Sequence, residues 1–281
     1  MSTESLRIFV GAVHSHRLLF EVLRWSVRRH TQRPVEVHSI GELLGADDLV
    51  LPQRAENRPG TPFSFHRFAV PMLAGWRGRA IYCDSDQLVL RDIAELHDLP
   101  MRFGARVLRR VWRGPDGKSG MRASSVMLLD CERLAGWTLR KIADDLDEGR
   151  YSYEGLMKLA PIRLKGSFSR HWNAFDHCEP GRTGLLHYTS KPRQPWLARA
   201  HPFESYWFEA LYSGLEAGEV SQEAVDFSLA ERYVRPSLAW QIERREIDST
   251  RVPSELHAAD AAFVEHCRQH SFNNLDGDYR F

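Results

Sequence analysis

Two aspartates flank one small residue in Asp84-Ser85-Asp86, directly after the apolar run Ala80-Ile81-Tyr82. A short apolar run ending in a carboxylate is how a buried parallel strand reads where it leaves the sheet at its C-terminal edge. If the chain bends at Ser85, both carboxylates can face one hard divalent cation, which prefers oxygen ligands. A cation held this way can bind a diphosphate. The spacing alone also occurs in solvated turns. Its setting strengthens it, because a second apolar run at 88–90 leads out and residues 91–96 begin a short helix.

Residues 82–96 read YCDSDQLVLRDIAEL. This resembles the Y-x-D-x-D-x-x-V-x-x-D-I-x-x-L pattern of family 8 glycosyltransferases, and the likeness extends from about Leu6 to Trp196 in two further ordered elements. Arg67, followed four residues later by Pro71, fits the family's R-x-x-x-P segment; without the resemblance it reads equally as a surface arginine on an amphipathic helix. His187, in LLHYTSK at 185–191 with QPW at 194–196, matches the histidine of H-x-x-G-x-x-K-P-W. A lone histidine at a strand end is more often a hydrogen-bonded structural residue than a ligand. Ser190 replaces the motif's glycine and Lys191 falls early, so Lys191 or Arg193 could supply the positive charge.

The resemblance implies a GT-A fold, an α/β architecture with a mixed, mostly parallel sheet and helices on both faces. It implies sugar transfer from a nucleotide-sugar donor, usually UDP-linked, with retention at the anomeric carbon. Mn²⁺ is the usual cation and Mg²⁺ the alternative, held by Asp84, Asp86 and His187. Arg67, Asp84, Lys191 or Arg193, and Gly11 with Ala12 at the end of the first strand, would meet the donor. Asp86 and Glu154 are the catalytic candidates. Glu154 is the one acid in SYEGLM at 152–157, where the family commonly has D-Q-D-x-L-N; it reads equally as a solvent-facing helix residue. The family's asparagine and glycine before V-M-L are replaced near Ser124 and Ser125. Trp172-Asn173 is similar to the pair preceding the last site strand in many members. Where members commonly place an acid beside the base, this chain has Val13-His-Ser-His16, with His14 or Ser15 as substitutes. HYT, QPW and VRPSL at 234–238 together resemble a bacterial subgroup whose acceptors are not implied.

The elements that must position these residues are legible in hydrophobic periodicity. Residues 7–13 read as a first strand, Leu19, Val22, Leu23 and Ser26 as a helix with Arg24, Arg28, Arg29 and His30 towards its C-terminal end, and 34–40 as a second strand. That βαβ opening suits nucleotide binding, although no G-x-G-x-x-G follows. Residues 63–74 read as one helix, 102–108 and 125–130 as strands, and 113–120 as a surface loop. Leu139, Ile142, Ala143 and Leu146 make a helix stopping before Gly149, and 153–159 a short helix. From His201 the chain reads as helical, with one helix running from Pro202 to Gly218 and another capped by Ser254. Residues 1–200 are expected to form the catalytic domain and 201–281 a helical extension packed on it.

Composition narrows the classes. The 281 residues are 43% hydrophobic and 27% charged, ordinary for a globular protein with a sizeable core. A net charge of +1 gives no global field for nucleic acid. No apolar run approaches the roughly 18 residues of a membrane span, and the N-terminus lacks a signal-peptide pattern, so a cytoplasmic protein is expected. Cys83, Cys131, Cys178 and Cys267 are widely spaced without a C-x-x-C pair and read as free, mostly buried thiols. Two other functions share these features. A phosphatase of the haloacid dehalogenase type also carries D-x-D at a strand end, but wants a threonine or similar residue where Leu88 stands. A non-catalytic sugar-nucleotide binder is the other, suggested by the missing Asn-Gly and Asp-Gln motifs. The acceptor is open: a glycan, a lipid-linked glycan, a protein or a small molecule.

Overall fold

The computed structural model describes residues 5–45, 48–111 and 124–269; the loop expected at 113–120 lies outside them. The strands are β1 (Leu6–Gly11), β2 (Val35–Ser39), β3 (Arg79–Asp84), β4 (Gln87–Val89), β5 (Val107–Arg110), β6 (Val126–Asp130), β7 (Lys165–Phe168), β8 (Ala174–Phe175) and β9 (Leu185–His187). The helices are α1 (Arg17–Arg28), α2 (Ile40–Leu43), α3 (Pro62–His66), α4 (Val70–Leu73), α5 (Ala94–His97), α6 (Leu139–Asp147), α7 (Tyr153–Met157), α8 (Glu204–Glu216), α9 (Gln222–Ala230), α10 (Leu238–Arg244) and α11 (His257–Gln269).

Six strands form the main sheet in the order β2-β1-β3-β6-β5-β7. Pairing is parallel from β2 through β1 to β3 and between β5 and β7, and antiparallel on both sides of β6. Strand side chains alternate between two faces, and both faces are apolar. Phe9, Tyr82, Met127 and Leu129 pack under the side carrying α2, α3, α4, α6 and α7. Ile8, Val10, Ile81, Cys83, Val126 and Leu128 pack under the side carrying α1 and α5. Helices therefore cover both faces, as a near-continuous apolar strand requires.

Helix α1 is buried on two sides. Phe20, Leu23 and Val27 face the sheet, whereas Leu18, Leu19 and Val22 join Trp207, Phe208, Leu211, Ala224 and Leu238 of the C-terminal helices. The aromatic side chains of α8 are thus core residues. All four cysteines are free and buried. Among the described residues, no helix is long and apolar enough to cross a membrane.

Three expected elements differ, one of them the helix expected to be capped by Ser254, which instead opens a 3₁₀ turn at Ser254–Leu256 before α11 begins at His257. The helix anticipated over 63–74 is broken into α3, a 3₁₀ turn at Arg67–Ala69 and α4, because Pro71 has no N–H to give the carbonyl four residues back. The strand anticipated from 102 begins only at Val107. Phe103 and Gly104 have φ of 55° and 70° in a 3₁₀ turn, a left-handed backbone that cannot extend into a ladder.

His66, at the end of α3, is buried, and burial draws its imidazole from the ordinary 6.5 down to about 4, against a backbone hydrogen bond with Val50. The folded state excludes a proton that the unfolded chain binds below its own pKa. The stabilisation is therefore complete above the unfolded value and lost as pH falls towards 4. Urea unfolding at pH 7.5 and pH 5 should show a loss about 2 kcal/mol smaller in His66→Leu than in wild type.

Candidate active site

The carboxyl ends of β1 and β3 open into a cavity of about 410 Å³, whose lining includes Asp84, Asp86 and His187. That volume suits a small organic ligand. Strand β3 ends at Asp84, the chain turns at the buried Ser85, and β4 leaves the main sheet to pair antiparallel with β9. The register sets Gln87 opposite His187, and the Tyr188 N–H donates to the Asp86 carbonyl at 3.0 Å. A second small sheet therefore carries a histidine from 100 residues away to the aspartate turn. One ligand atom from each of Asp84, Asp86 and His187 lies within 4.8 Å of the others.

The three side chains are individually oriented. Asp84 Oδ1 accepts from the Tyr82 hydroxyl at 2.5 Å and meets Arg67 Nη2 at 3.2 Å. Asp86 Oδ2 accepts from Gln194 Nε2 at 3.1 Å. Asp86 Oδ1 is buried without a hydrogen-bond donor aligned on it, 3.2 Å from His187 Nε2. His187 Nδ1 lies 2.8 Å from the Asn173 amide oxygen, and Asn173 Nδ2 donates to Ser125 Oγ at 2.8 Å. Nδ1 also lies 3.2 Å from Gln87 Nε2, but its shorter contact is to an oxygen that only accepts, which favours the proton on Nδ1; in that tautomer the uncharged ring presents the Nε2 lone pair to Asp86. Two lone-pair atoms facing each other at this distance fit a cation between them. Two carboxylates and an imidazole suit a divalent cation.

The electrostatics agree with that donor set. Burial, together with the Asp86 charge, raises the Asp84 carboxyl above its usual range despite Arg67. Burial would raise Asp86 as well, but His187 in its protonated form, together with Lys191, outweighs it and holds that carboxyl low; beside a neutral His187, a bound cation would supply that positive charge instead. Burial also depresses His16 to about 4, with Lys191 adding to the effect and Asp86 opposing it. His16 Nδ1 lies 3.0 Å from Ser85 Oγ.

Not every anticipated residue reaches the cavity. Arg67 lines it, buried, with its guanidinium 5.0 Å from the Tyr82 ring centroid and Nη1 donating to Ser124 Oγ at 3.1 Å. Lys191 lines it too, whereas Arg193, two residues on in the same 3₁₀ turn, is exposed and lies outside. Glu154 is exposed and ion-paired with Lys158. Helical geometry explains this, since Tyr153 and Met157, four residues apart, share the face of α7 that lines the cavity, and Glu154 is turned about 100° away. Gly11 lies behind the cavity wall, where an added Cβ would stand 2.3 Å from the Tyr82 hydroxyl, so its lack of a side chain makes room for the tyrosine that orients Asp84. Ala12 lines a separate space of about 60 Å³ with His14 and Arg17. Ser15 lines the main cavity, while the His14 ring packs edge-on against Phe227.

Sequence reasoning passed over His16, Tyr82, Tyr153, Gln194, Tyr233 and Cys267, which line or order the site. A signal existed for Gln194, in the QPW element. Tyr233 and Cys267 belong to the C-terminal helical part, which carried no motif of the donor site.

No family model matches the chain. By sequence it is similar to Protein CDI of Arabidopsis thaliana, 37% identical over 94 residues, covering 33% of this chain and 36% of that one. The match thus spans about a third of that relative's length. By structure it is similar to the galactosyltransferase LgtC, solved with donor and acceptor sugar analogues: TM-score 0.56, 13% identity, 77% of this chain and 100% of that one. It is also similar to the glycosyltransferase GlyE of Streptococcus pneumoniae TIGR4, with TM-score 0.55 and 14% identity over 78% of this chain and 64% of that one. For the bifunctional glycosyltransferase WbbM the TM-score is 0.55 at 11% identity, over 75% of this chain and 50% of that one. At such identities the likeness is one of fold, and the fold is that of the GT-A glycosyltransferases.

Proposed function

We propose that this protein is a retaining glycosyltransferase of the family 8 type, moving a sugar from a UDP-sugar to an acceptor hydroxyl with Mn²⁺ as cofactor. The observation that carries the reading is the cluster of Asp84, Asp86 and His187 at one cavity, with Arg67 and Lys191 on its lining. These ligands would hold the cation, which when bound neutralises charge on a diphosphate. Residues 1–200 supply this machinery as the catalytic domain, and the helical part from 201 adds Tyr233 and Cys267 to the wall.

In the reaction the bond between the anomeric carbon and the diphosphate oxygen breaks, and the acceptor oxygen bonds to that carbon. Negative charge grows on the departing diphosphate, and the Lys191 ammonium stabilises it. Arg67, held on Asp84 at the cavity wall, would add to that stabilisation. With Glu154 outside the cavity, attack from the face the diphosphate leaves is the economical route to retention, and the departing phosphate oxygen takes the acceptor's proton. Asp86 belongs to the catalytic set as a ligand rather than as a base. Ser15 and His16 line the cavity just after β1, the stretch in which the resemblance expects a group for the base, so they would contact the nucleoside.

A thermal-shift panel of nucleotides and nucleotide sugars, with and without Mn²⁺, tests this reading. A ligand at ~100 times its dissociation constant adds about 2.7 kcal/mol of stability. UDP compounds should raise the melting temperature only with the metal. No shift with any nucleotide would reject the donor site.

A further inference from the structure

We infer that Gln194 is the positioning residue for Asp86, fixing that carboxylate so that Oδ1 and His187 Nε2 are presented together; the inference rests on reading the cluster as a cation site. Gln194 is buried on the cavity wall and its Nε2 is shared between two acceptors, the Tyr188 carbonyl at 2.7 Å and Asp86 Oδ2 at 3.1 Å. The amide has two N–H bonds, so both contacts can be made at once. The first fixes the amide to the end of β9, next to His187. The second carries that placement across to Asp86.

The consequence is a division of labour between the two Asp86 oxygens. Oδ2 is occupied by the amide, whereas Oδ1 is left buried and undonated beside Nε2. A carboxylate free to rotate would exchange these roles and would have to be ordered each time a cation bound. Gln194 removes that freedom beforehand, as Asn173 does for the imidazole. Its own backbone is held from behind. Arg235 Nε donates to the Pro195 carbonyl at 3.2 Å and the Arg235 N–H to the Trp196 carbonyl at 2.8 Å. The VRPSL and QPW elements are therefore one device, clamping the segment after Lys191 against the aspartate turn.

A purely structural Gln194, present only to satisfy the Tyr188 carbonyl, would affect stability and leave cation affinity alone. The two roles separate in a Mn²⁺ titration followed by electron paramagnetic resonance of free Mn²⁺, with the apoprotein's melt recorded in chelator. Wild type should bind one Mn²⁺ per chain. Gln194→Met, similar in size but without donors, should bind it ~10–100-fold more weakly while still melting cooperatively. If that variant does not fold, Gln194→Asn carries the same test, since it keeps an amide for Tyr188 but is one methylene shorter towards Asp86. Unchanged Mn²⁺ affinity in a folded variant would overturn the positioning role and leave the cation site standing. No Mn²⁺ binding by wild type, with or without UDP, would overturn the site reading and this inference with it.

Discussion

Asp86→Ala should lower donor turnover by two to three orders of magnitude while leaving the fold intact. The size follows from the number of functions that meet on this side chain: it faces His187 Nε2 at 3.2 Å, takes the Gln194 amide at 3.1 Å, and has an Oδ1 that no donor among the described residues satisfies. Losing one electrostatic contact to developing charge costs about 3 kcal/mol of transition-state stabilisation. Native stability should fall modestly, because the fold favours the ionised Asp86 and truncation leaves the buried Gln194 amide short of an acceptor, partly offset by relief of the charge that helps to raise Asp84. Turnover of a UDP-sugar with Mn²⁺, alongside urea unfolding of the apoprotein, measures both. A variant retaining more than a tenth of the wild-type rate would contradict the role.

Arg235→Ala should be the most destabilising single truncation outside the sheet core, by about 3–5 kcal/mol. Arg235 is fully buried, with its side chain bonded to Ser237, Gln241 and the Pro195 carbonyl. Among the described residues no carboxylate lies within ion-pair distance of it. Its counter-charge is relayed through Ser237, whose hydroxyl donates to Asp260 at 2.6 Å, and Asp260 also meets Arg199 at 3.1 Å. Burial lowers the guanidinium to about 10, opposed by the charges of Asp260 and Glu204. Truncation would leave the Gln241 amide oxygen and the Pro195 carbonyl without this donor in the core, while Ser237 keeps its bond to Asp260. Arg235→Met, which fills more of the space, should recover part of the loss. Denaturant titration measures both variants, and a change under 1 kcal/mol in Arg235→Ala would show that the network is not needed for folding.

How much was legible in the sequence depended on whether the information was local. Asp84 and Asp86 announce themselves because strand, turn and ligands are contiguous, and His187 is recognisable beside Lys191 and QPW. The register that joins them, Gln87 opposite His187, is a pairing across 100 residues that periodicity does not encode. The break before α4 has a local cause in Pro71, which lies inside residues 63–74. Glu154 was selected for its charge, yet the face of α7 is set by apolar packing of Leu156 and Met157. Lys191 and Arg193 were equivalent in sequence, and only the path of the 3₁₀ turn separates them. Arg235 and Gln194 could be seen as parts of motifs, but the contact of Arg235 with the Pro195 and Trp196 carbonyls is a property of the folded chain.

The most direct test of the central claim is incubation of the purified protein with single nucleotide sugars and Mn²⁺, following release of the nucleoside diphosphate and free sugar in the absence of an acceptor. The account predicts slow, metal-dependent cleavage of a UDP-sugar that chelator abolishes and Asp86→Ala loses. Tight donor binding with no cleavage of any nucleotide sugar, with candidate acceptors present as well as absent, would contradict it and favour a protein that binds nucleotide sugars without turning them over.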